Sequence, residues 1–565
     1  MTTATLNSEV RETTHHGAIQ CAVLDEAHVG DIKGAFGTIK LDDHGGAGRG
    51  LSAKLKTLLA IVGPGLIVMV GDNDAGAFST YGQAGQNYGT RLLWTLLLLI
   101  PVLYVNQEMV LRLGAVTGVG HARLIMARFG RLWGTFEVID LFLLNGLTIV
   151  TEFIGITLAA SYLGVPKVVA VLFAAGVIIA TAFTGSFRAF ERVAMTFCAG
   201  SLLLIPLYLM THPSGSQMMR GFTVPGLPSG AGGGGMAAVM LLVIGIVGTT
   251  VAPWQLFFQQ SYVIDKRITP RFIKYEKADL WIGIAVVVLG AAALMGATAA
   301  AFAGTGAAGH FTDSAGLAHG VALYAGRVAG ALFAIALLDA AIIGAFAVSL
   351  SSAYAIGDVL GMKHSLHRGV GQAKGFYALY AALIGGAATI VLIPGSPLGL
   401  ITEGVQVLAG VLLPAATVFL LMLCNDKAVL GPWVNTAKTN AFTSVVIAAL
   451  VTLSIVLVAS VMFPAITATQ IIAIVAGCAA VALTAVCWLG IQGIRRRGRS
   501  VATDGDDSDG AAHADRMMWR MPPLAELAVP KITGARRVGL IALRGYLAVA
   551  MVMVVLKVVL MAVTH

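Results

Sequence analysis

The sequence feature that most constrains the fold is an apolar segment, residues 61–89, that is long enough to cross a bilayer but has acids in its middle. The triplet Asp72–Asp74 stands there between Gly71 and Gly76. A carboxylate at membrane depth costs about 2.5–3.5 kcal/mol even on the lenient insertion scale, so it requires a partner or a function. Glycines favour a break in the helix, and a broken helix at mid-membrane is tolerated only where it lines a cavity. The segment therefore predicts two half-helices that meet at an ion-binding site.

The composition places the whole chain in a membrane. Of its 565 residues, 57% are hydrophobic and 12% charged, and the mean hydropathy is +0.85. We predict an all-α polytopic protein in the lipid bilayer of a bacterial-type plasma (inner) membrane. Thirteen apolar segments have spanning length: 56–88, 91–113, 135–164, 167–185, 193–212, 237–264, 278–303, 321–352, 376–395, 397–424, 441–463, 468–491 and 538–563.

Lysine and arginine gather in every second connection between these segments. The basic connections hold Arg123, Arg128 and Arg131; Arg188 and Arg192; Lys266, Arg267, Arg271 and Lys274; Lys363, Arg368 and Lys374; Lys427 and Lys438; and Arg495, Arg496, Arg497 and Arg499. This alternation predicts a cytoplasmic N-terminus. The net charge of +9 lies mostly in these loops, so it does not indicate a nucleic-acid partner.

A second interrupted segment lies in the middle of the chain, at residues 243–256. Pro253 removes a backbone donor and clashes with the preceding turn, while Gly245 and Gly248 loosen the helix, so a break is expected here too. Two broken helices, each opening a set of five segments, indicate an inverted-repeat transporter whose site lies where the breaks meet. We predict a LeuT-type inverted repeat of helices 1–5 and 6–10, with discontinuous helices 1 and 6 and additional C-terminal helices.

The predicted domains follow from these patterns. They are a disordered cytoplasmic tail (1–53), an inverted-repeat transport core (54–425), helices 11 and 12 (426–494), a cytoplasmic polar linker (495–537) and a further transmembrane helix (538–565). The tail histidines fit no ligand spacing, and the glycines at 46–50 follow no strand, so neither a metal-collecting arm nor a phosphate loop is favoured. The acidic run 504–510 fails the EF-hand spacing and is interpreted as linker.

Five stretches of the chain follow a family pattern. One runs from Gly63-Pro64-Gly65 through Asp74, Phe78 and Gln83-Ala84-Gly85 to Tyr88-Gly89, and the others are residues 112–118, 152–155, 187–191 and 248–253. In their order and position they resemble the NRAMP divalent-metal transporters. The resemblance covers about residues 56–490, and it is nearest to the NRAMP-related magnesium transporter branch. It implies a divalent metal cation as the partner and cargo, and neither an enzyme activity nor a cofactor.

The departures from the family pattern bear on the cargo. Where the family has Asp-Pro-Gly-Asn, this chain reads Asp74-Ala75-Gly76-Ala77, and where it has Met-Pro-His, this chain reads Ala252-Pro253-Trp254. A thioether favours transition metals over hard cations, so its loss removes discrimination against Mg²⁺. Mg²⁺ retains several waters and is held by one or two carboxylates, which an enlarged acidic site accommodates. We therefore expect a secondary transporter, working by alternating access, that carries Mg²⁺ and also Mn²⁺.

The expected metal site centres on Asp74, which supplies the negative charge. The alternative for Asp72 is that it caps a half-helix or faces a vestibule. Trp254 is interpreted as a packing residue, and Gln406 ranks below the residues of the first break. The predicted set is Gly71, Asp72, Asn73, Asp74, Ala77, Thr249, Ala252, Trp254, Gln255 and Gln406.

Proton coupling in the family, by the resemblance, uses an acidic pair on helix 3 and the helix 6 histidine. This chain has Ile149, Glu152 and Trp254 at those positions. Because two of the three groups do not titrate, uncoupled transport is expected, and Glu152 is interpreted as a paired structural carboxylate. The alternative is a proton-coupled Mn²⁺/Fe²⁺ importer.

Other classes fit the sequence less well. A sodium-coupled symporter for an organic solute conflicts with the negative charge of Asp74, a sensor lacks an appended soluble domain, and an intramembrane hydrolase lacks histidine ligands in the spans. The sequence leaves the oligomeric state open, and a monomer is the simplest expectation.

Overall fold

The structure, a computed structural model, describes residues 26–41, 50–228, 235–394, 398–463, 466–497, 516–517 and 519–527, and the single positions 534, 539, 541, 545, 548 and 552. In these ranges the α-helices are α1 (Leu51–Ile61), α2 (Pro64–Val70), α3 (Ala75–Tyr88), α4 (Trp94–Thr117), α5 (His121–Phe129), α6 (Arg131–Tyr162), α7 (Lys167–Phe183), α8 (Phe187–Gly200), α9 (Leu204–Thr211), α10 (Gly215–Thr223), α11 (Gly235–Thr250), α12 (Pro253–Asp265), α13 (Ile273–Phe302), α14 (Ser314–Ala325), α15 (Arg327–Leu360), α16 (Lys374–Leu392), α17 (Leu398–Cys424), α18 (Lys427–Leu430), α19 (Ala437–Met462) and α20 (Ala468–Arg497).

The first twelve predicted segments all contain helix. Within the described residues, nine helices are long and apolar enough to span a membrane, or ten if the bent pair α1 and α2 forms one span; α7 and residues 469–484 are shorter apolar helices. Helices α8 and α9 join through a 3-10 turn into one of the nine. The thirteenth segment, 538–563, lies outside the described residues except for a few isolated positions.

Both predicted helix breaks are present. The first separates α2 from α3 at residues 71–74, and the second separates α11 from α12 at residues 251–252. Local chemistry explains where the helices restart. Asp74 caps α3 by accepting a hydrogen bond from the Ala77 N–H at 2.8 Å, and Pro253 opens α12 at a position where no N–H is needed. The two breaks thus open the two halves of the inverted repeat.

A sharp bend at Gly63, whose φ is +158°, separates α1 from α2 by 52°. Two buried charges satisfy the backbone groups that this bend frees. The Lys266 ammonium donates to the carbonyls of Ile61 and Val62 at 2.6 and 2.9 Å, while the Asp279 carboxylate accepts from three N–H groups, those of Gly63, Gly65 and Leu66. Opposite charges therefore stabilise the end of α1 and the start of α2.

The basic connections lie on one face of the bundle. The side chain of Arg128 bonds to Asp426 at 2.7 Å, that of Arg123 donates to the Val359 carbonyl, and Gly185 packs on the backbone of Gly369. These contacts join the connections at 118–130, 184–186, 361–373 and 425–436. These four basic connections therefore lie together on one face of the described structure, which we call the basic face.

Part of the predicted disordered tail is folded. A 3-10 turn, Glu26–His28, leads into a hairpin of two antiparallel strands, β1 (Ile32–Gly34) and β2 (Gly37–Ile39). The hairpin packs on α1 because glycines allow close approach: a Cβ at Gly34 would lie 2.0 Å from the Ala60 carbonyl oxygen. The hairpin is explained by its tertiary contacts with α1. These contacts join segments that are apart in the sequence, so the tail sequence alone does not reveal them.

The hairpin is anchored to the basic face by buried and basic side chains. The Ala35 N–H donates to Glu191 at 2.6 Å, and Glu191 in turn pairs with Lys266 at 2.7 Å. Arg267 donates to the carbonyl of Ala27, and Arg192 donates to that of Ala35. The hairpin is therefore connected to the bend between α1 and α2 through the Glu191 carboxylate and the Lys266 ammonium.

A part of the predicted polar linker also packs on the basic face. The Trp433 indole donates to the Arg516 carbonyl at 2.9 Å, and the Arg516 guanidinium lies 4.2 Å from the centre of the Trp433 ring. Trp519 packs against Gly431. Arg516 and Trp519 are thus held against the connection at 431–433 by one hydrogen bond, a cation–π contact and the packing of the Trp519 ring.

Replacing Gly34 by alanine is expected to loosen the hairpin, because the new Cβ would collide with the backbone of α1. Overpacking of this kind costs about 1–3 kcal/mol, so trypsin should cleave after Lys33 and Lys40 roughly tenfold faster than in the wild type. The matched control is Gly371→Ala on the same face, where a Cβ meets open space. Equal cleavage rates in the two variants would contradict the packing described.

Candidate metal-binding site

The site is built from the residues of the first break, which are almost fully buried. Asp72, Asn73 and Asp74 are 1%, 5% and 3% exposed. The break presents their side chains in different directions because the chain leaves α2 through Gly71 and re-enters a helix only at Ala75. The acids are closed off from both faces of the bundle in this conformation.

Asp72 faces the second break. Its Oδ1 accepts a hydrogen bond from the Gln255 amide, and the Gln255 oxygen accepts from Gln107 at 2.9 Å. The other carboxylate oxygen of Asp72 is buried without a partner. Asp72 is therefore buried between the two breaks, in contact with a residue of α12, and not in an open vestibule or at a helix cap.

Asp74 faces Glu152 on α6. Glu152 accepts from the Ala75 N–H at 3.1 Å, its other oxygen is buried without a partner, and both acids pack around Gly344 of α15. A Cβ at Gly344 would lie 2.7 Å from Glu152 and 2.9 Å from the Asp74 Cβ. Two carboxylates in one dry place repel each other, so they require a cation or a proton between them.

Gln406 of α17 closes another side of the site. A Cβ at Gly76 would lie 1.8 Å from the Gln406 amide nitrogen and 3.1 Å from Asp74 Oδ1. The Gln406 amide nitrogen is buried without a partner, as is the Thr249 hydroxyl. A half-turn of the amide presents its oxygen instead, so both side chains can offer oxygen to a cation.

The remaining predicted residues form the wall of the site or face away from it. The ring of Trp254 packs near Gly71, where a Cβ would lie 3.5 Å from the ring edge, so Trp254 is a packing residue here. Ala77 donates its N–H to Asp74, and Ala252 precedes α12 and is 6% exposed. Asn73 turns away and donates to the Val287 carbonyl on α13 at 3.2 Å, so the structure does not bring it to the acids.

The donors that meet here are oxygens or amides, and none is sulfur. In the described part of the chain, no group of three or more His, Cys, Asp and Glu side chains is arranged to hold a metal. An ion in this site would thus be coordinated by few carboxylates, with amides, hydroxyls, freed carbonyls and water completing its shell.

The family model that matches the chain is that of the natural resistance-associated macrophage protein-like proteins, Nramp, and it covers residues 65–460. The chain belongs to the Nramp family. Members of this family are membrane transporters rather than enzymes, and the chain is accordingly an integral membrane protein with a LeuT-type fold.

Named relatives agree with this assignment. A divalent metal cation transporter MntH from Ralstonia nicotianae is 29% identical over 410 residues, which cover 68% of this chain and 87% of that protein. The MntH of Chromohalobacter salexigens is 28% identical over 263 residues, 44% of this chain and only 58% of that protein. A crystal structure of the Eremococcus coleocola manganese transporter with an aromatic bis-isothiourea compound covers 79% of this chain and 97% of its own, at 20% identity and a TM-score of 0.58, and so shows a shared fold.

Sequence reasoning left two groups out of the site of this Nramp protein. Glu152 was assigned to coupling or to structure, although it packs directly against Asp74; its position mid-way along an apolar span was the available signal. The second group is Tyr81. Its hydroxyl donates to the Thr250 hydroxyl at 2.7 Å, because Thr250 itself donates to the Ile246 carbonyl, and this bond connects α3 to the end of α11. A tyrosine nearly two turns beyond a glycine-rich break carries no such signal in the sequence.

Replacing Gly76 by alanine tests the position of Gln406 in this Nramp site. Because the atom in the way is the mobile end of a side chain, the amide should swing away from Asp74 while the fold survives. Loss of one hydrogen-bonding ligand to a charged centre is expected to raise the Kd for the metal roughly tenfold, as measured by calorimetry. Gly146→Ala, where a Cβ meets open space in α6, is the control. Wild-type affinity in Gly76→Ala would remove Gln406 from the site.

Proposed function

We propose that this protein carries divalent metal cations across the membrane by alternating access, with Mg²⁺ as the main cargo and Mn²⁺ also accepted, without proton coupling. The observation that supports it is the donor set at the two breaks. Asp74 and Asp72 supply charge, and the groups around them are amides, a hydroxyl and backbone carbonyls.

The absence of sulfur from the residues that meet at this site supports Mg²⁺. The wall positions Ala77 and Ala252 bear only methyl groups, and a site of oxygens does not discriminate against a hard cation. Mg²⁺ is reluctant to lose its waters and binds through one or two carboxylates, and Asp72 and Asp74 are the two acids of the first break. Mn²⁺ accepts the same oxygen ligands, so we expect it as a second cargo.

Burial of the acids supports alternating access. Since Asp72 and Asp74 are closed off from both faces, an ion reaches them only if one half of a broken helix moves. The bend at Gly63 and the hairpin lie on the basic-face side of α2, so opening on that side disturbs the Lys266 contacts with Ile61 and Val62.

The missing titratable groups support uncoupled transport. Ile149 is fully buried and lies one turn before Glu152 on α6, and Trp254 packs on the first break. Neither side chain accepts or releases a proton. A cation between Asp74 and Glu152 then compensates the repulsion between the two carboxylates. The membrane potential and the ion gradient drive the flux.

One observation favours a second candidate, a proton-coupled Mn²⁺/Fe²⁺ importer. Glu152 lies against Asp74 without another partner for one of its oxygens, so a proton shared by the two acids would leave when a cation binds. Proton release on binding does not by itself move a proton across the membrane, and only a flux measurement separates the two candidates.

Flux into proteoliposomes with a pH dye inside tests the proposal. We expect uptake of both Mg²⁺ and Mn²⁺ without internal acidification, and at least a roughly hundredfold loss in Asp74→Ala, because a buried charge that binds the cargo is worth several kcal/mol. Mn²⁺ uptake without Mg²⁺ uptake would contradict the choice of cargo. Acidification that follows metal uptake would establish the second candidate instead.

Replacing Ala252 by methionine adds the soft donor that the site lacks. The variant should shift the ratio of Mn²⁺ to Mg²⁺ uptake in favour of Mn²⁺ by about tenfold, since a thioether adds affinity for polarisable ions and little for Mg²⁺. Ala180→Met, on the exposed surface of α7, is the matched control. An unchanged ratio in Ala252→Met would place selectivity elsewhere in the protein.

A further inference from the structure

A small cavity lies on the side of the first break that faces away from Asp74. It is enclosed by the end of α2, the junction of α8 with α9, and the middle of α15, and it has room for about one water molecule. Its lining includes three residues with polar side chains, Asn73, Ser201 and Asp339, and the other lining side chains, Val70 among them, are apolar.

Asn73 offers this cavity an acceptor. Its amide nitrogen donates one hydrogen bond to the Val287 carbonyl, and its Oδ1 is buried without a partner. A buried amide oxygen without a donor costs about 1–3 kcal/mol, which is a large penalty at a position next to two transport-site acids.

Asp339 offers a negative charge. In the described part of the structure its carboxylate has no hydrogen bond or ion pair, and it lies directly over Gly200, where a Cβ would come within 2.1 Å of an oxygen. A carboxylate near the middle of a span requires a partner, as the insertion cost of about 2.5–3.5 kcal/mol shows.

The other polar groups at the cavity are acceptors as well. The Ser201 hydroxyl donates its proton to the Cys198 carbonyl at 2.7 Å, so only its oxygen lone pairs remain. The Val70 carbonyl accepts from the Asn73 N–H at 3.1 Å and has a second lone pair, and it belongs to the negative end of α2. The residues around the cavity therefore offer a carboxylate, an amide oxygen, a hydroxyl oxygen and a carbonyl, and acceptors outnumber donors among them.

We propose that this cavity is a second cation site, which binds one Na⁺ ion between Asp339 and Asn73. One carboxylate balances one monovalent charge, and a water-sized space admits a bare small ion. Mg²⁺ fits poorly, because it demands octahedral geometry and keeps several waters. Oxygen ligands at the end of a half-helix are the arrangement that coordinates Na⁺ in broken-helix transporters.

The site is linked to the cargo site through the chain itself. Asn73 stands between Asp72 and Asp74 in the same break, so an ion that holds Asn73 also fixes the orientation of the acids on either side. Na⁺ in this cavity therefore stabilises the break in the conformation that the structure shows. The proposal does not depend on which divalent metal is carried.

Binding of radiolabelled Na⁺ to the purified full-length protein in detergent, measured by scintillation proximity in choline chloride, tests the site. We expect saturable binding of one ion per protein that excess unlabelled Na⁺ displaces and K⁺ does not. Asp339→Asn should weaken binding at least about tenfold, since the number of charged ligands sets the affinity. Ala340→Val, which fills the cavity without changing a ligand, should weaken it as well.

Asp74→Asn is the control, because it removes an acid of the same break that does not line the cavity, and it should retain Na⁺ binding. Calorimetric Mn²⁺ binding at Asp74 shows that the Asp339 and Ala340 variants are folded. Absence of saturable Na⁺ binding to the wild type would overturn the proposal. Equal displacement by K⁺, or binding that both cavity variants leave unchanged, would overturn it too.

Discussion

Every interruption of a helix inside a bilayer frees N–H and C=O groups that lipid cannot satisfy, and the described structure depends on how these groups are paired. At the bend between α1 and α2, Lys266 takes the carbonyls and Asp279 takes the N–H groups. At the first break, Asp74 caps α3 and Glu152 accepts from the Ala75 N–H. At the first break, the carboxylates that accept from freed backbone N–H groups are thus also carboxylates of the candidate cation site.

Close packing of the helices explains why the site is closed in this conformation. Small residues let the helices approach: Gly344 leaves room for Glu152 and Asp74, and Gly76 leaves room for Gln406. On the basic face, the folded hairpin bonds through Ala35 to the carboxylate that pairs with the ammonium at the bend. A movement of α1 and α2 therefore breaks the series of contacts that runs from Ala35 in the hairpin through Glu191 to Lys266.

The sequence predicted the parts of the fold that depend on local chemistry. Acids and glycines inside an apolar run, and Pro253 in the second, located both breaks, and the spacing of apolar segments and basic loops gave the twelve helical segments and their alternation. Directions of side chains were not predictable, because they depend on packing between distant helices. Asn73 faces α13 and Glu152 faces Asp74 for this reason, and the hairpin folds only through its contacts with α1.

In the transport that we propose, Asp74 anchors a divalent cation in a site without sulfur ligands. Calorimetric titration of the purified protein with Mg²⁺ and with Mn²⁺, for the wild type and for Asp74→Asn, tests it most directly. We expect both ions to bind to the wild type with dissociation constants within about a factor of one hundred, since both use oxygen ligands. Neither ion should bind measurably to Asp74→Asn. Binding of Mn²⁺ alone, or binding of either ion that survives the loss of the Asp74 charge, would contradict it.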